Sequence, residues 1–312
     1  MRRAGDSDER GFALVIVISV LAVLALLAAG FAVATRQETK IVRNTIALAR
    51  ARARADAGVA LAEMGLLSRD PATRWHADGR PYAITFGGGE IRVSVQDEAG
   101  KVDLNWTPLP VVEGLLAELD IDPEAQAGII AGIADHRNSV RRPPVPPGEL
   151  AGTALSGGPA LRDLMAAPFR SVDELLTLPG VTRAAFDRLR PFVTVYAESA
   201  HIDPATAPRG VLLAVPGMSP GAADLILASR IPRPDGSVSA APSDFAAAKQ
   251  YLAFADLRAA TVTSEVVEGR DAHFVRRAVI ATTGDPYYPF RILEWRQEPG
   301  DTTSPTSLVY RQ

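Results

Sequence analysis

The chain has 312 residues, a net charge of −3 with a pI of about 5.9, and no cysteine. That length gives room for one long helix and about two soluble domains. The charge offers no global attraction to nucleic acid or anionic lipid, and the absence of thiols excludes disulfides, zinc–thiolate centres and cysteine nucleophiles.

Residues 1–11 read as a short charged leader without apolar content. From Phe12 to Ala34 the chain runs FALVIVISVLAVLALLAAGFAVA, uncharged, with Ser19 as its one strongly polar side chain. At about 1.5 Å per residue this run can cross about 30 Å of hydrocarbon, so a transmembrane helix is expected over 12–34. Ala32-Val33-Ala34 fits the small-x-small rule of a secretory signal, but such a signal has a shorter apolar core and is usually followed by a break. Here no proline occurs from Arg36 to Leu67, and Ile41, Thr45, Leu48, Arg52, Ala55, Val59, Ala62 and Leu66 recur at helical spacing. The apolar run and residues 35–67 are therefore expected to form one continuous helix.

Gly11-Phe12, followed by the apolar run and the long helix, resembles the cleavage site of type IV pilins and of the pseudopilins of type II secretion. The resemblance implies that a prepilin peptidase cuts after Gly11 and methylates the new amine of Phe12. Most pilins carry Glu at the fifth mature position, where this chain has Ile16. A carboxylate inside a bilayer is costly unless paired, and a subunit with nothing above it can dispense with that pair. In this the chain is similar to the K-type minor pseudopilins (general secretion pathway protein K family), which the resemblance places at the pseudopilus tip. Arg2, Arg3 and Arg10 precede the run, while Arg36, Lys40, Arg43, Arg50, Arg52 and Arg54 follow it, opposite to the positive-inside rule. A cytoplasmic N-terminus and a periplasmic C-terminal part are therefore implied by the resemblance alone. The later arginines read as a solvated helix face that also meets lipid head groups or neighbouring subunits.

Residues 68–106 read as the first part of a sheet. Pro71, Asp78 and Gly79 break the helix, and Tyr82–Phe86 and Ile91–Val95 alternate apolar and polar residues around Gly87-Gly88-Gly89-Glu90. That is a β-hairpin; a phosphate loop would lead from a strand into a helix with Lys and Ser or Thr following. Asp97-Glu-Ala-Gly-Lys-Val-Asp-Leu-Asn105 resembles an acidic, Gly-Lys, Leu-Asn segment of the K family. Physically, Glu98–Lys101 reads as a turn with Gly100 at positive φ, and Val102 and Leu104 begin another strand.

From about Pro108 the periodicity is helical for roughly 120 residues. Three segments read as helix, tight turn, helix: one at Leu119–Ala125, one at Leu178-Pro-Gly-Val-Thr, and one at Val215-Pro-Gly-Met-Ser. They look like helix-hairpin-helix or SAM-like units, whose DNA-binding versions meet phosphate through hairpin N–H groups and nearby cations. Thr107–Arg230 holds 14 acidic residues against 10 arginines and no lysine, which argues against phosphate binding and makes Leu178, Val181, Val215 and Met218 core residues. The K family inserts an α-domain of two SAM-like parts into a pilin sheet, and 107–192 and 193–258 resemble those parts. Val193–Tyr196 and His201–Pro208 are similar to its return strand and Thr-Ala-Pro turn, with Asp203-Pro204 where Asn is usual. Residues 141–159 read as a Pro, Gly and Ser-rich exposed loop. Some members of the family are thought to bind calcium in this domain. Here Asp135 is followed by His136, Arg137 and Asn138 and then by two more arginines, so no ligands and no cofactor are assigned.

Strands are expected again at Thr261–Val266, His273–Ile280 and Phe290–Trp295, with turns at Gly269 and Gly284, giving 259–298 as the end of the sheet and 299–312 as a disordered tail. His76, His136, His201 and His273 lie in four different elements and no Gly-x-Ser-x-Gly elbow occurs, so no enzyme is expected. The sequence is thus read as α+β: a type IV pilin-like helix and antiparallel sheet with an inserted α-helical domain of two SAM-like or helix-hairpin-helix-like parts. The resemblance implies a minor pseudopilin of type II secretion that sits in the inner membrane. Its implied partners are I- and J-type minor pseudopilins, the major pseudopilin and the prepilin peptidase, with no nucleic acid. The alternative is a membrane-anchored helix-hairpin-helix DNA-binding protein of a competence or type IV pilus system.

Overall fold

The computed structural model describes residues 6–141, 168–230, 247–268 and 272–299, with side chains described from Ile16 to Ala28 and again from Lys40 onward within the first helix. That helix, α1, runs without interruption from Asp6 to Leu66. At 1.5 Å per residue it is about 90 Å long. It stops where Gly65 lets the chain fold back, since a Cβ there would lie 2.5 Å from the Trp75 ring. The Gly65 carbonyl accepts the Trp75 N–H at 3.0 Å, and Trp75 stacks on Tyr82 with centroids 4.2 Å apart. Among the described residues no helix is long and apolar enough to cross a membrane. Both ends of the 12–34 run lie outside the described side chains.

The C-terminal end of α1, from Ala51 onward, packs on a five-stranded antiparallel sheet. Its strands are β1 (Asp78–Phe86) and β2 (Gly89–Asp97), then, much later in the chain, three strands at Ala259–Glu268, Ala272–Thr282 and Phe290–Pro299. Between them a two-residue strand, β3 (Val102–Asp103), pairs in parallel with β4 (Val193–Thr194), so the later three are β5, β6 and β7. The order is β1-β2-β5-β6-β7. Gly87 and Gly88, both at positive φ, make the β1–β2 turn, while Gly89 and Glu90 already belong to β2. Period-two alternation sends Ile91, Val93 and Val95 of β2 into one core with Val262 and Val266 of β5 and Phe274, Ala278 and Ile280 of β6. Small residues on α1 (Ala51, Ala55, Gly58, Ala62) let the helix lie close; a Cβ on Gly58 would sit 2.1 Å from the Ser264 hydroxyl. The flanks are fixed by Arg54 to the Gly87 carbonyl and by Arg276 to Asp56, each at 2.6 Å.

β2 and β5 are neighbours in the sheet, yet a helical unit with its own core is inserted between them. It contains α2 (Leu109–Glu118), α3 (Pro123–Arg141), a 3-10 segment Val172–Thr177, α4 (Arg183–Leu189), α5 (Arg209–Ala214) and α6 (Pro220–Ser229). Short helices are marginal alone. Here side-chain caps support them: Asp122 accepts the Glu124 N–H, Ser171 and Glu174 form a capping box, Thr182 caps Ala185 and Ser219 caps Ala222. Gly180 and Gly217 take φ of 83° and 82° at the two Pro-Gly hairpins, whereas Asp120, at φ 50°, takes that place in the first. Leu115, Leu116, Ile129, Ile133, Phe186 and Leu212 are buried at its centre.

Gly100 differs from expectation, since its φ is not positive. A glycine is needed there because a Cβ would fall 2.7–2.8 Å from the Thr206–Ala207 backbone. The 141–159 loop beyond Arg141, the Gly269 turn and the tail from residue 300 lie outside the described residues.

Candidate functional site

The densest polar construction among the described residues lies where the sheet meets the helical unit. β2 ends at Asp97, which caps the 3-10 turn Glu98–Gly100 by accepting the Ala99 N–H at 2.9 Å. Glu98 and Lys101, three apart and fully enclosed, form an ion pair at 2.5 Å, and both reach the Thr261 hydroxyl of β5. Burial alone would raise the Glu98 carboxyl, but the Lys101 ammonium and the Thr194 and Thr261 hydroxyls outweigh it and hold the carboxyl below its usual value. For Asp97, burial and the nearby Asp203 and Glu98 charges outweigh the Ala99 N–H and the Lys101 ammonium, and its carboxyl is pushed up to about 7. Asp103 is raised to about 6 by burial, in spite of N–H bonds from Asn105 and Glu198.

The two turns interlock. Asp203 donates its N–H to the Ala99 carbonyl at 2.8 Å, and the Gln96 amide reaches the Thr206 carbonyl at 2.8 Å. Asn105 holds Phe169 through both backbone groups at 2.8 and 3.0 Å, and His136 stacks on that ring with centroids 3.8 Å apart. Arg137 is spent on the Leu104 and Thr107 carbonyls, each at 2.7 Å. On the far side, Arg190 pairs with Glu298 at 2.6 Å, Tyr196 donates to Glu294 at 3.1 Å, and Arg296 meets Asp173. These last contacts join residues about a hundred positions apart, so no local sequence signal marks them. The Glu98–Lys101 pair has one, its i,i+3 spacing, but the spacing does not reveal burial.

A space of about 270 Å³ beside the junction is lined by Ala99, Glu198, Ser199, Asp256 and Arg258 among others. No group of three or more His, Asp or Glu among the described residues is placed to hold a metal ion. The four histidines stay apart: His76 precedes β1, His136 is on α3, His201 is in a turn, and His273 on β6 bonds Glu265 at 2.7 Å. Gly11 and Phe12 lie within α1, and their side chains are outside the described set.

The hairpin arginines are occupied. Arg188 reaches the Leu119 and Asp120 carbonyls, Arg209 pairs with Asp224 at 2.8 Å, Arg183 pairs with Asp187 at 3.1 Å, and Arg230 holds the Pro204 and Ala207 carbonyls. Cations already committed to internal acceptors are poor phosphate ligands, and the DNA-binding alternative finds no support here.

A family profile described as type II secretion system protein K matches residues 94–198, the stretch that builds this junction. The type II secretion system protein K of Pseudomonas aeruginosa (strain PAO1) is 28% identical over 244 residues, covering 71% of this chain and 72% of its own length. The chain is thus similar to type II secretion proteins K at this junction and along 71% of its length. The crystal structure of the GspK–GspI–GspJ complex from enterotoxigenic Escherichia coli contains a chain of similar fold. The TM-score is 0.51 at 16% identity, with 83% of this chain and 99% of that one covered. The K family is a structural component of secretion rather than a known enzyme family.

Proposed function

We propose that this K-type protein is a single-pass inner-membrane subunit of the pseudopilus tip. On this reading prepilin peptidase cuts after Gly11, Phe12 is N-methylated, residues 12–34 cross the bilayer, and everything from residue 35 lies in the periplasm. The chain then assembles with I- and J-type minor pseudopilins, as the related GspK does in its complex, and initiates the filament of major pseudopilin that exports folded proteins. Residues 107–192 and 193–258 serve as two SAM-like parts of one pilin-inserted domain, and no cofactor is required.

The observation that supports this best is the division of α1. Its last four turns, from Ala51, bury one face against the sheet, whereas Leu26 and Leu27 are 73% and 66% exposed, with no cover from any described part of the chain. Isolated exposed leucines need no explanation, but a continuous apolar rod does. An apolar environment outside the chain, bilayer and neighbouring helices, supplies one. The test is affinity isolation of the chain from native membranes: the I- and J-type subunits are expected to co-purify, and their absence from a complex that retains intact chain would overturn the reading.

A further inference from the structure

Between Lys40 and Arg54 the chain has five basic residues and no acidic one, within a protein of net charge −3. At 100° per residue, Lys40, Arg43, Arg50 and Arg54 fall within about 80° of one another, a single stripe about 21 Å long. Ala47 occupies the gap between them. Arg54 is turned toward the Gly87 carbonyl at the lower end. Lys40, Arg43 and Arg50 are exposed and make no ion pair among the described residues. Like charges at i,i+3 and i,i+4 destabilise a helix, so the stripe opposes the fold that carries it. On its flanks Ile41, Val42, Ile46 and Leu48 are also uncovered.

We propose that this stripe is the docking face for an acidic helix of a neighbouring pseudopilin lying alongside α1. The inference deepens the assembly reading above and rests on it. A bilayer crossed by residues 12–34 meets only the end nearest it, because charge is screened over about 8 Å at physiological salt while the stripe extends about 21 Å along the axis. A rod-shaped partner meets all of it. A second copy of this chain lying parallel and in register does not fit, since it would bring the same acid-free segment against the stripe. The partner chemistry is therefore a helix with Asp or Glu recurring on one face at matching spacing, and apolar residues beside them to cover Ile41 and Leu48. Opposite charges arranged this way set partner choice and register.

The test uses full-length chain co-expressed with the I- and J-type subunits of its own host, extracted in detergent and purified at low and high salt. Wild-type protein is expected to retain both subunits at low salt and to lose them progressively as salt rises. The K40E/R43E/R50E variant is expected to lose about tenfold in retained partner at low salt, whereas K40R/R43K/R50K is expected to behave as wild type. Because the three positions are exposed, the thermal unfolding midpoint serves as the folding control and is expected to be unchanged. Full retention by the reversed variant overturns the docking face. Retention combined with lost binding to phosphatidylglycerol vesicles overturns it in favour of a lipid surface. If wild-type chain retains neither subunit, it is the assembly reading that fails.

Discussion

The unit formed by α1 and the sheet is held by area, whereas the inserted helical unit is joined to it by charge. In the first, alternating Val and Ile side chains and a seam of alanines fill the interface, and a buried cation, Arg276, is paired with Asp56 and lies over the rings of Phe274 and Trp295. At the junction, four buried carboxylates (Asp97, Glu98, Asp103 and Asp203) and a buried lysine converge on two interlocked turns. Apolar contacts tolerate small shifts, but a buried ion pair is costly to break and needs its geometry. The contrast implies that the angle between the two units is specified by the junction, while the stability of each resides in its own core.

Breaking the pair should have the largest effect. Lys101→Met leaves Glu98 enclosed without its cation and is expected to cost about 3–5 kcal/mol. Adding Glu98→Gln should recover much of that loss. Urea unfolding of the two variants checks this, and equal midpoints for the single and double variants would mean that the charges are not coupled.

A smaller effect follows from Asp97. Its carboxyl rises from 3.8 to about 7 on folding, so the folded state binds the proton more tightly than the unfolded one. Its contribution is complete below about pH 4 and is lost as pH rises through about 7. Asp97→Asn keeps the oxygen that caps Ala99 and removes the titration. It is expected to flatten the decline in stability between about pH 4 and 7 and to gain on the order of 2 kcal/mol at the alkaline end. Unfolding midpoints across that range, wild type against variant, give the answer; parallel curves would exclude Asp97 as the titrating group.

Much of the fold could be read from periodicity. Ile91, Val93 and Val95 announce a half-buried strand, and the Pro-Gly hairpins at Gly180 and Gly217 announce turns, because both signals are local. What escaped depends on distance along the chain. Gly100 carries no sign that it must accommodate Thr206 and Ala207, so a turn with positive φ was the natural expectation. The β3–β4 pairing and the ties of Arg190 and Tyr196 to β7 join residues that no window contains. Spacing also could not separate Val59, which the sheet covers, from Ile41 and Leu48, which share its seam and stay exposed. The candidate surface was therefore visible as a pattern, and only the structure shows which part of the pattern is still open.

The measurement that bears most directly on the account is intact and N-terminal peptide mass spectrometry of the protein from its native host, with and without prepilin peptidase. The account predicts a terminus at methylated Phe12 that disappears when the peptidase is absent. A terminus at Thr35, or an intact leader beginning at Met1 or Arg2 in the presence of active peptidase, would contradict it.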